Sequence, residues 1–463
     1  MNSLWELATS SGAPAGEILA PDTQVPLAAL LDGTTLRGEL EALRGLSVLI
    51  AMEEQLSTAL AILELDGVVR RMVLCTPDLS GEQLSSIAAM AQVDAVVVDE
   101  SAEKYLCGGL PQIVSTLPIR SPVERRAGEQ TEWILLTSGS TGMPKMVVHT
   151  LETLAGALPR RESVAGSPIW STFYDIRRYG GLQIYLRAVI GGSRLVLSDA
   201  SKSPQEFLAR AGAAGVTHLS GTPSHWRRGL MSGAPTFIRP DYVRLSGEVA
   251  DQPVLDALRT AFPDAKIAHA FASTEAGVAF AVNDGRAGFP RELFDGIGAA
   301  ADGVELRVIG GTLRIRSRGV GRRYLGAESD TLSDADGFVD TGDLVEAVAD
   351  RYYFRGRRGG VINVGGMKVY PEEVEAVLNA DPRVRMSRVR GRRNPITGAV
   401  VMAEVVLLAA SSELVSPDQE VRLKAELLSA CRQALPAHKV PAVLRLVPHL
   451  ELTPAGKLVR SDE

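Results

Sequence analysis

The chain has 463 residues, 45% hydrophobic and 22% charged, with 49 Lys+Arg against 55 Asp+Glu and a net charge of −6. This is a folded globular composition of roughly two to four domains or subdomains, and the acidic balance argues against a general nucleic-acid binder. No apolar run reaches the ~20 residues of a membrane helix, Met1 to Glu6 carries no secretory signal, and the widely spaced Cys75, Cys107 and Cys431 give neither a zinc pair nor a disulfide framework. A cytoplasmic monomer or homodimer with no membrane or nucleic-acid partner is expected.

Between residues 46 and 100 short apolar runs alternate with helix-length segments. Leu46–Ala51, Arg71–Cys75 and Ala95–Asp99 read as buried strands, with helices over Met52–Glu64 and Ser80–Ala91. That alternation predicts a parallel sheet with helices on its faces. It returns after residue 180, with strands at Leu195–Leu197, Thr217–Leu219 and Lys266–Phe271 and helices over Pro204–Ala214 and Gln252–Phe262. From Val304 the period changes to two. Val304–Ile309 and Thr312–Arg316 flank Gly310-Gly311, a hairpin signature, and more strand-like sequence runs to Phe354. Arg355–Gly360 is polar and reads as a flexible join. Beyond it a helix (Glu372–Leu378), strands (Val384–Arg390, Val400–Leu408) and a helix (Val421–Ala434) suggest a small α+β domain.

The strongest local signal is Thr137-Ser138-Gly139-Ser140-Thr141-Gly142-Met143-Pro144-Lys145, set between the apolar runs Trp133–Leu136 and Met146–Val148. Glycines let a backbone turn its N–H groups toward an anion, hydroxyls donate to phosphate oxygens, and lysine adds a mobile positive charge. No Walker loop, GxGxxG, GxSxG or HExxH accompanies it.

This run resembles the phosphate loop of the adenylate-forming superfamily, which includes acyl- and aryl-CoA synthetases, peptide-synthetase adenylation domains and luciferases. Four further segments resemble that family's motifs, in its order. They are Phe271-Ala272-Ser273-Thr274-Glu275 (with Ala272 for the usual glycine), Asp340–Leu344, Phe354–Arg357 continuing through Ile362–Glu375, and Thr453–Lys457. The resemblance implies an α/β fold: a large N-terminal domain (1–357) of stacked, mostly parallel sheets with a β-rich subdomain, and a small mobile C-terminal α+β domain (358–463). It also implies a two-step reaction. A carboxylate attacks the α-phosphate of ATP to give an acyl-adenylate, and a thiol then displaces AMP. Such chemistry needs alignment and charge neutralisation more than proton transfer.

By the same resemblance Thr137, Ser138, Gly139, Ser140, Thr141, Gly142 and Lys145 hold the β- and γ-phosphates. Thr274 bonds the α-phosphate, and Glu275 binds Mg²⁺, although by itself a carboxylate there also fits a helix N-terminus. Phe271, Ala272, Ser273, Gly247 and Glu248 line the nucleotide site, Asp343 takes the ribose, Arg357 takes ribose or phosphate, and Lys457 bridges carboxylate and α-phosphate. Tyr174, Asp175, His225 and Gly247 are expected in the acyl pocket. An aspartate there suits a substrate amine, but a surface ion pair among Asp175, Arg177 and Arg178 is the plainer reading. Gly359 stands at the pivot where the family has an acidic residue or lysine. Gly365, Gly366 and the alternating Arg388, Arg390 and Arg392 are expected on the thiol path, with a solvated basic edge strand as the alternative. The implied cofactors are ATP, Mg²⁺ and coenzyme A, or the phosphopantetheine of an acyl-carrier protein. The implied activity is a carboxylic acid–thiol ligase. The alternatives are a stand-alone adenylation enzyme loading a carrier protein, and a non-catalytic nucleotide-binding protein.

Overall fold

The computed structural model describes residues 3–10, 16–37, 40–100, 109–121, 128–137, 143–156, 158, 167–199, 201–295, 303–326, 331–395, 397–408, 417–453 and 457–459. The strands Ser47–Ala51, Arg71–Cys75 and Ala95–Asp99 are buried at every position. Continuous apolar runs of this kind suit a sheet covered on both faces, and the three pair in parallel within a seven-stranded sheet. That sheet continues through Gln112–Ser115 on one side and Glu132–Thr137 on the other. It closes with two antiparallel strands, Lys145–His149 and Arg323–Leu325.

A second sheet has eight strands. Its centre, Arg194–Val196, Ile169–Thr172, His218–Gly221, Tyr242–Ser246 and Lys266–Ser273, is parallel throughout. The helices between these strands start where the sequence supplies caps. Ser203 accepts from Glu206 N ahead of Pro204, and Asp251 accepts from Val254 N ahead of Gln252–Ala261. The helices Gln55–Leu65 and Tyr179–Gly191 share one apolar core with residues of both sheets. The first is apolar nearly all round, as a helix sandwiched between layers must be. The phenol of Tyr185 donates to Ala59 O across that helix pair at 2.6 Å.

A five-stranded antiparallel sheet follows. The expected hairpin is there as Glu305–Ile309 and Thr312–Arg316, with Gly310 and Gly311 both left-handed (φ 60° and 82°). Only the second half of Arg355–Gly360 is the join between the two cores. Arg355–Arg357 complete the strand Arg351–Arg357, and Arg355, Arg357 and Arg358 pair with Glu346, Asp343 and Asp340. A turn at Arg358–Gly360 then leads to residues with their own core. There Val384–Asn394 and Gly398–Leu407 pair antiparallel, Val443–Leu446 adds in parallel, and the helices Pro371–Asn379 and Pro417–Ala434 pack against them. Cys75 and Cys431 are free thiols buried in separate bodies, and Cys107 lies outside the described residues. Among the described residues no helix is long and apolar enough to cross a membrane.

Asp66 anchors the start of the chain to this core. Its buried carboxylate accepts from Leu4 N at 2.7 Å and from the indole of Trp133 at 2.7 Å. Burial pushes its pKa from 3.8 up to about 6. The folded state therefore binds this proton more tightly than the unfolded chain, and the group's contribution to stability falls as pH rises from about 4 to about 6. Asp66→Asn turns an NH₂ toward one of two N–H donors. We expect it to cost about 1–3 kcal/mol and to remove this segment of the pH dependence, both measurable by urea melts at pH 4, 5 and 6.

Candidate active site

The site gathers at the carboxyl end of the parallel strand Tyr242–Ser246. The strand ends at Gly247, whose left-handed φ of 85° turns the backbone outward. A Cβ placed there would lie 3.3 Å from Lys457 Cε and 3.8 Å from Nζ. The lysine from the end of the chain is therefore seated on the strand terminus of the large body. Lys457 rides on a short hairpin: Leu452 bridges Leu458, Thr453 N donates to Lys457 O at 2.6 Å, and Lys457 N donates to Thr453 Oγ1 at 3.2 Å. Pro454, Ala455 and Gly456 at its tip lie outside the described residues.

Glu248 fastens that hairpin. Its carboxylate accepts from Ser224 N (3.0 Å), Ser224 Oγ (3.1 Å) and, across the two bodies, Leu458 N (3.2 Å). On the small domain's side, Arg388 donates to Val459 O at 3.0 Å. Lys457 is open to solvent but flanked by protein. Lost hydration and the nearby Arg357 lower its pKa, opposed by Glu248, Asp343 and Glu275. Carboxylates from three different elements, Glu248, Asp343 and Glu275, thus act on one ammonium, which forms no ion pair with them.

Asp343 lies on the strand Val339–Val348, directly opposite Arg357, which donates to it at 3.1 Å. Burial raises its pKa and Arg357 works against that rise. Thr274 and Glu275 form the tip between the antiparallel strands Lys266–Ser273 and Gly277–Val282, so the helix-terminus alternative for Glu275 is excluded. The same turn holds Ser273, whose Oγ accepts from Ala276 N, and Ala272 sits at a bulge in the ladder. Phe271 stacks on Phe354 at 5.2 Å.

Two residues that the motifs did not single out lie near this turn or near Lys145. His149, at the end of the strand after Lys145, is buried, and its Nε2 lies 2.7 Å from Thr274 O. A carbonyl accepts only, so Nε2 carries the proton. Burial drops the pKa of this ring to about 4. Tyr324 lies beneath Lys145, whose Nζ is 5.4 Å from the ring centre. Burial first, and then Glu275, push its phenol up to about 12. The sequence signal for Tyr324 was weak, because only pairing of its short strand with Lys145–His149 brings it here.

Ser138, Gly139, Ser140, Thr141 and Gly142 lie outside the described residues. At the loop's entrance, the buried Thr137 Oγ1 has no hydrogen-bond partner among the described residues. A buried hydroxyl without a partner is costly, and this one fits an anion held by the loop. For Mg²⁺, no group of three or more acidic, His or Cys side chains gathers among the described residues. A single carboxylate such as Glu275 suits a hard cation that takes its other oxygens from phosphate and water.

Some expectations fail. Asp175 is not available to a substrate: both its oxygens are held by the buried Arg177, which also donates to Met52 O. Arg178 pairs with Asp78. The ion-pair reading thus holds for Asp175 and Arg177 only, and there the pair is withdrawn from the surface. Tyr174 is buried and donates to Ser246 O at 2.7 Å, which places it behind the strand end. His225 stacks on Phe173 at 5.2 Å, its Nδ1 accepts from Thr222 N, and burial drops its pKa to about 3. Arg388 and Arg390 do not form a free basic face, because Glu404, directly opposite Arg388, lies 2.6 Å and 3.7 Å from them. Only Arg392 and Arg393 of this run are exposed. Gly365 and Gly366 make the left-handed turn between Ile362–Val364 and Met367–Val369. Gly359 has open space at its Cβ position and is not left-handed.

The AMP-binding enzyme family model matches residues 33–325, and the model for the C-terminal domain of AMP-binding enzymes matches residues 373–457. The chain belongs to the AMP-binding enzyme family. It is similar to the 2-succinylbenzoate–CoA ligase of Geobacillus kaustophilus (30% identical over 72% of this chain and 69% of the relative). It is also similar to the p-hydroxybenzoic acid–AMP ligase of Mycobacterium tuberculosis (28% identical, 73% of this chain, 49% of the relative). Among solved structures it shares its fold with an anthranilate CoA ligase in complex with anthranoyl-AMP. That match has a TM-score of 0.83 at 17% identity and covers 99% of this chain and 95% of the other. As an adenylate-forming enzyme, the chain has its family-motif residues Gly247, Glu248, Glu275, Asp343, Arg357 and Lys457 drawn to one cleft.

The imidazoles of His149 and His225 are both neutral near pH 7, with pKa values of about 4 and about 3. Their NMR resonances are expected to stay fixed between pH 5 and 8. A shift with a midpoint near 6.5 would contradict the burial that orders the Thr274 turn.

Proposed function

We propose that the chain is an ATP-dependent acid–thiol ligase that activates an aromatic carboxylic acid as its adenylate and transfers the acyl group to the thiol of coenzyme A. The observation that carries this reading is Lys457 seated against Gly247, within the electrostatic influence of Glu248, Asp343 and Glu275. The three relatives described above, each named for a benzoic acid derivative, support the aromatic class.

The residues divide the work by chemistry. Asp343, buried and with one oxygen taken by Arg357, offers an acceptor to ribose hydroxyls. Lys145 and the backbone of the loop after Thr137 hold the phosphate tail, and the Thr274 hydroxyl donates to the α-phosphate. Glu275 holds Mg²⁺, which supplies charge neutralisation on phosphate oxygens. Lys457 offers a compact ammonium to both the attacking carboxylate and the α-phosphate, where negative charge accumulates in the transition state. Its partial desolvation strengthens that interaction.

The small domain, residues 358–463, is proposed to leave this position for the thiol step. The joint is compatible with rotation: a single turn at Arg358–Gly360 separates the strand Arg351–Arg357 from the next core. In the present orientation Glu373 pairs with Arg355 at 3.1 Å, Lys457 lies against Gly247, and Leu458 N donates to Glu248. Polar contacts of this kind can be exchanged between two domain positions.

Lys457→Ala is expected to lower ATP–pyrophosphate exchange by about 10²–10³-fold while nucleotide binding, read by calorimetry, stays within a few-fold. Near-normal exchange would refute the assignment. Gly359→Ala is expected to leave exchange unchanged, because its Cβ meets nothing within 4 Å in this orientation. Pyrophosphate release with benzoic acids, followed by thioester formation with coenzyme A or with a carrier protein, decides the acceptor.

A further inference from the structure

Thr274 and Glu275 stand at the tip of a hairpin, where a backbone swings unless groups outside the ladder hold it. Ser273 pairs with Gly277, and the tip is Thr274, Glu275 and Ala276. Gly277 closes it with a left-handed φ of 75°, and a Cβ there would lie 2.6 Å from Gly319 O, so the tip is packed against other chain. All three tip carbonyls take a donor from elsewhere in the large body. Glu275 O accepts from Gly321 N at 2.9 Å, and Ala276 O accepts from Ser317 Oγ at 3.4 Å. Thr274 O accepts from His149 Nε2 at 2.7 Å, the shortest of the three.

The His149 bond joins two sheets. The tip connects the strands Lys266–Ser273 and Gly277–Val282 of the eight-stranded sheet, whereas His149 ends the strand Lys145–His149 of the seven-stranded one. Lys145, Val147 and His149 alternate onto one face of that strand. Gly321 lies against this face: a Cβ there would meet Val147 Cγ1 at 2.7 Å and His149 Nε2 at 3.3 Å. A single strand therefore carries Lys145, at the end of the phosphate-loop motif, and the imidazole that holds Thr274. The ring itself is fixed. It is fully buried, the Tyr179 ring packs at 5.9 Å between centres, and Thr153 Oγ1 lies 2.9 Å from Nδ1. With the proton on Nε2, Nδ1 is left as an acceptor for that hydroxyl.

A peptide group is planar, so a donor on its carbonyl fixes a whole plane. His149 fixes the plane between Thr274 and Glu275, and Gly321 fixes the plane between Glu275 and Ala276. The Cα of Glu275 thus sits between two pinned planes, which set the direction of its side chain. Thr274 is held from its carboxyl side by the first of them.

We propose that His149 is a positioning residue for adenylation: by holding the Thr274 carbonyl it aims the Thr274 hydroxyl and the Glu275 carboxylate at the α-phosphate and its metal. This rests on the ligase reading given under Proposed function. A side chain that orients a metal ligand from behind changes metal affinity or rate by about 10- to 100-fold when it is removed, and a misplacement of about 1 Å at a reacting centre costs a similar factor.

The test compares His149→Phe, which keeps a buried ring without an N–H, with His149→Gln, which keeps an N–H donor. ATP–pyrophosphate exchange is followed at saturating acid over a range of ATP and Mg²⁺ concentrations, and Tm is recorded for each variant. His149→Phe is expected to lower kcat by about 10- to 100-fold and to raise the Mg²⁺ needed for half-maximal rate by about 10-fold, while KM for ATP stays within about three-fold. His149→Gln is expected to recover most of kcat whatever its Tm. Wild-type kcat and Mg²⁺ dependence in the Phe variant overturn the proposal, as do equal losses in the two variants or a loss confined to Tm. If the Phe variant does not fold, the wild type decides without turnover. Its His149 ring nitrogens, assigned in ¹⁵N spectra by the signal missing from His149→Gln, are expected to shift when ATP and Mg²⁺ bind in the absence of acid. A ring that does not respond overturns the proposal. Absence of exchange by the wild type with every acid overturns the ligase reading, and the proposal with it, before any variant is compared.

Discussion

The arrangement turns on one contact between the two ends of the fold. A glycine that ends a central parallel strand leaves room for the methylene stem of Lys457, and Glu248 next to it takes the backbone N–H of Leu458. A side chain at Gly247 would fill the space the lysine occupies, and the left-handed φ of 85° would strain any residue but glycine. Without this contact the large body keeps its carboxylates at the strand ends, but no cation from the small domain completes the set. The remaining elements serve to bring these two pieces together. The stacked sheets fix Gly247 and the Thr274 turn, the antiparallel sheet brings Asp343 and Arg357, and the small domain carries the lysine hairpin.

The charges around the cleft oppose one another before any ligand enters. Lost hydration and Arg357 lower the pKa of Lys457, and Glu248, Asp343 and Glu275 favour its charged form. The site is thus polarised before any ligand enters, so little rearrangement is needed when phosphate charge arrives. The supporting residues are kept uncharged: His149 and His225 are buried deeply enough that neither becomes an imidazolium near neutral pH. Their task is to hold backbone, not to move protons.

Much of the fold was legible because buried strands and amphipathic helices leave periodic marks in a single chain. The strands at 47–51, 71–75 and 95–99 and the glycine-turned hairpin at 305–316 lie where the pattern puts them. Charged residues were harder to read, because an ion pair depends on what the other strand or loop presents. Asp175, Arg388 and Arg390 looked available in sequence, yet Arg177 and Glu404 occupy them. Arg355–Gly360 looked like a loose polar join, yet cross-strand carboxylates hold its arginines. His149 and Tyr324 carried at most a weak signal, since their places depend on the Thr274 carbonyl and Lys145 alongside them.

The order of the chain alone determined the chemistry on offer: a hydroxyl- and glycine-rich loop, a Thr-Glu turn, a Thr-Gly-Asp strand and a lysine near the end. These are local groupings of residue types, and local groupings survive in one dimension. Tertiary structure decided which charges are spent on one another and which remain for a ligand, because pairing is a property of distance in space. Asp175 and Arg177 cancel, and Arg388 and Glu404 cancel, while Asp343 keeps one oxygen free of Arg357 among the described residues.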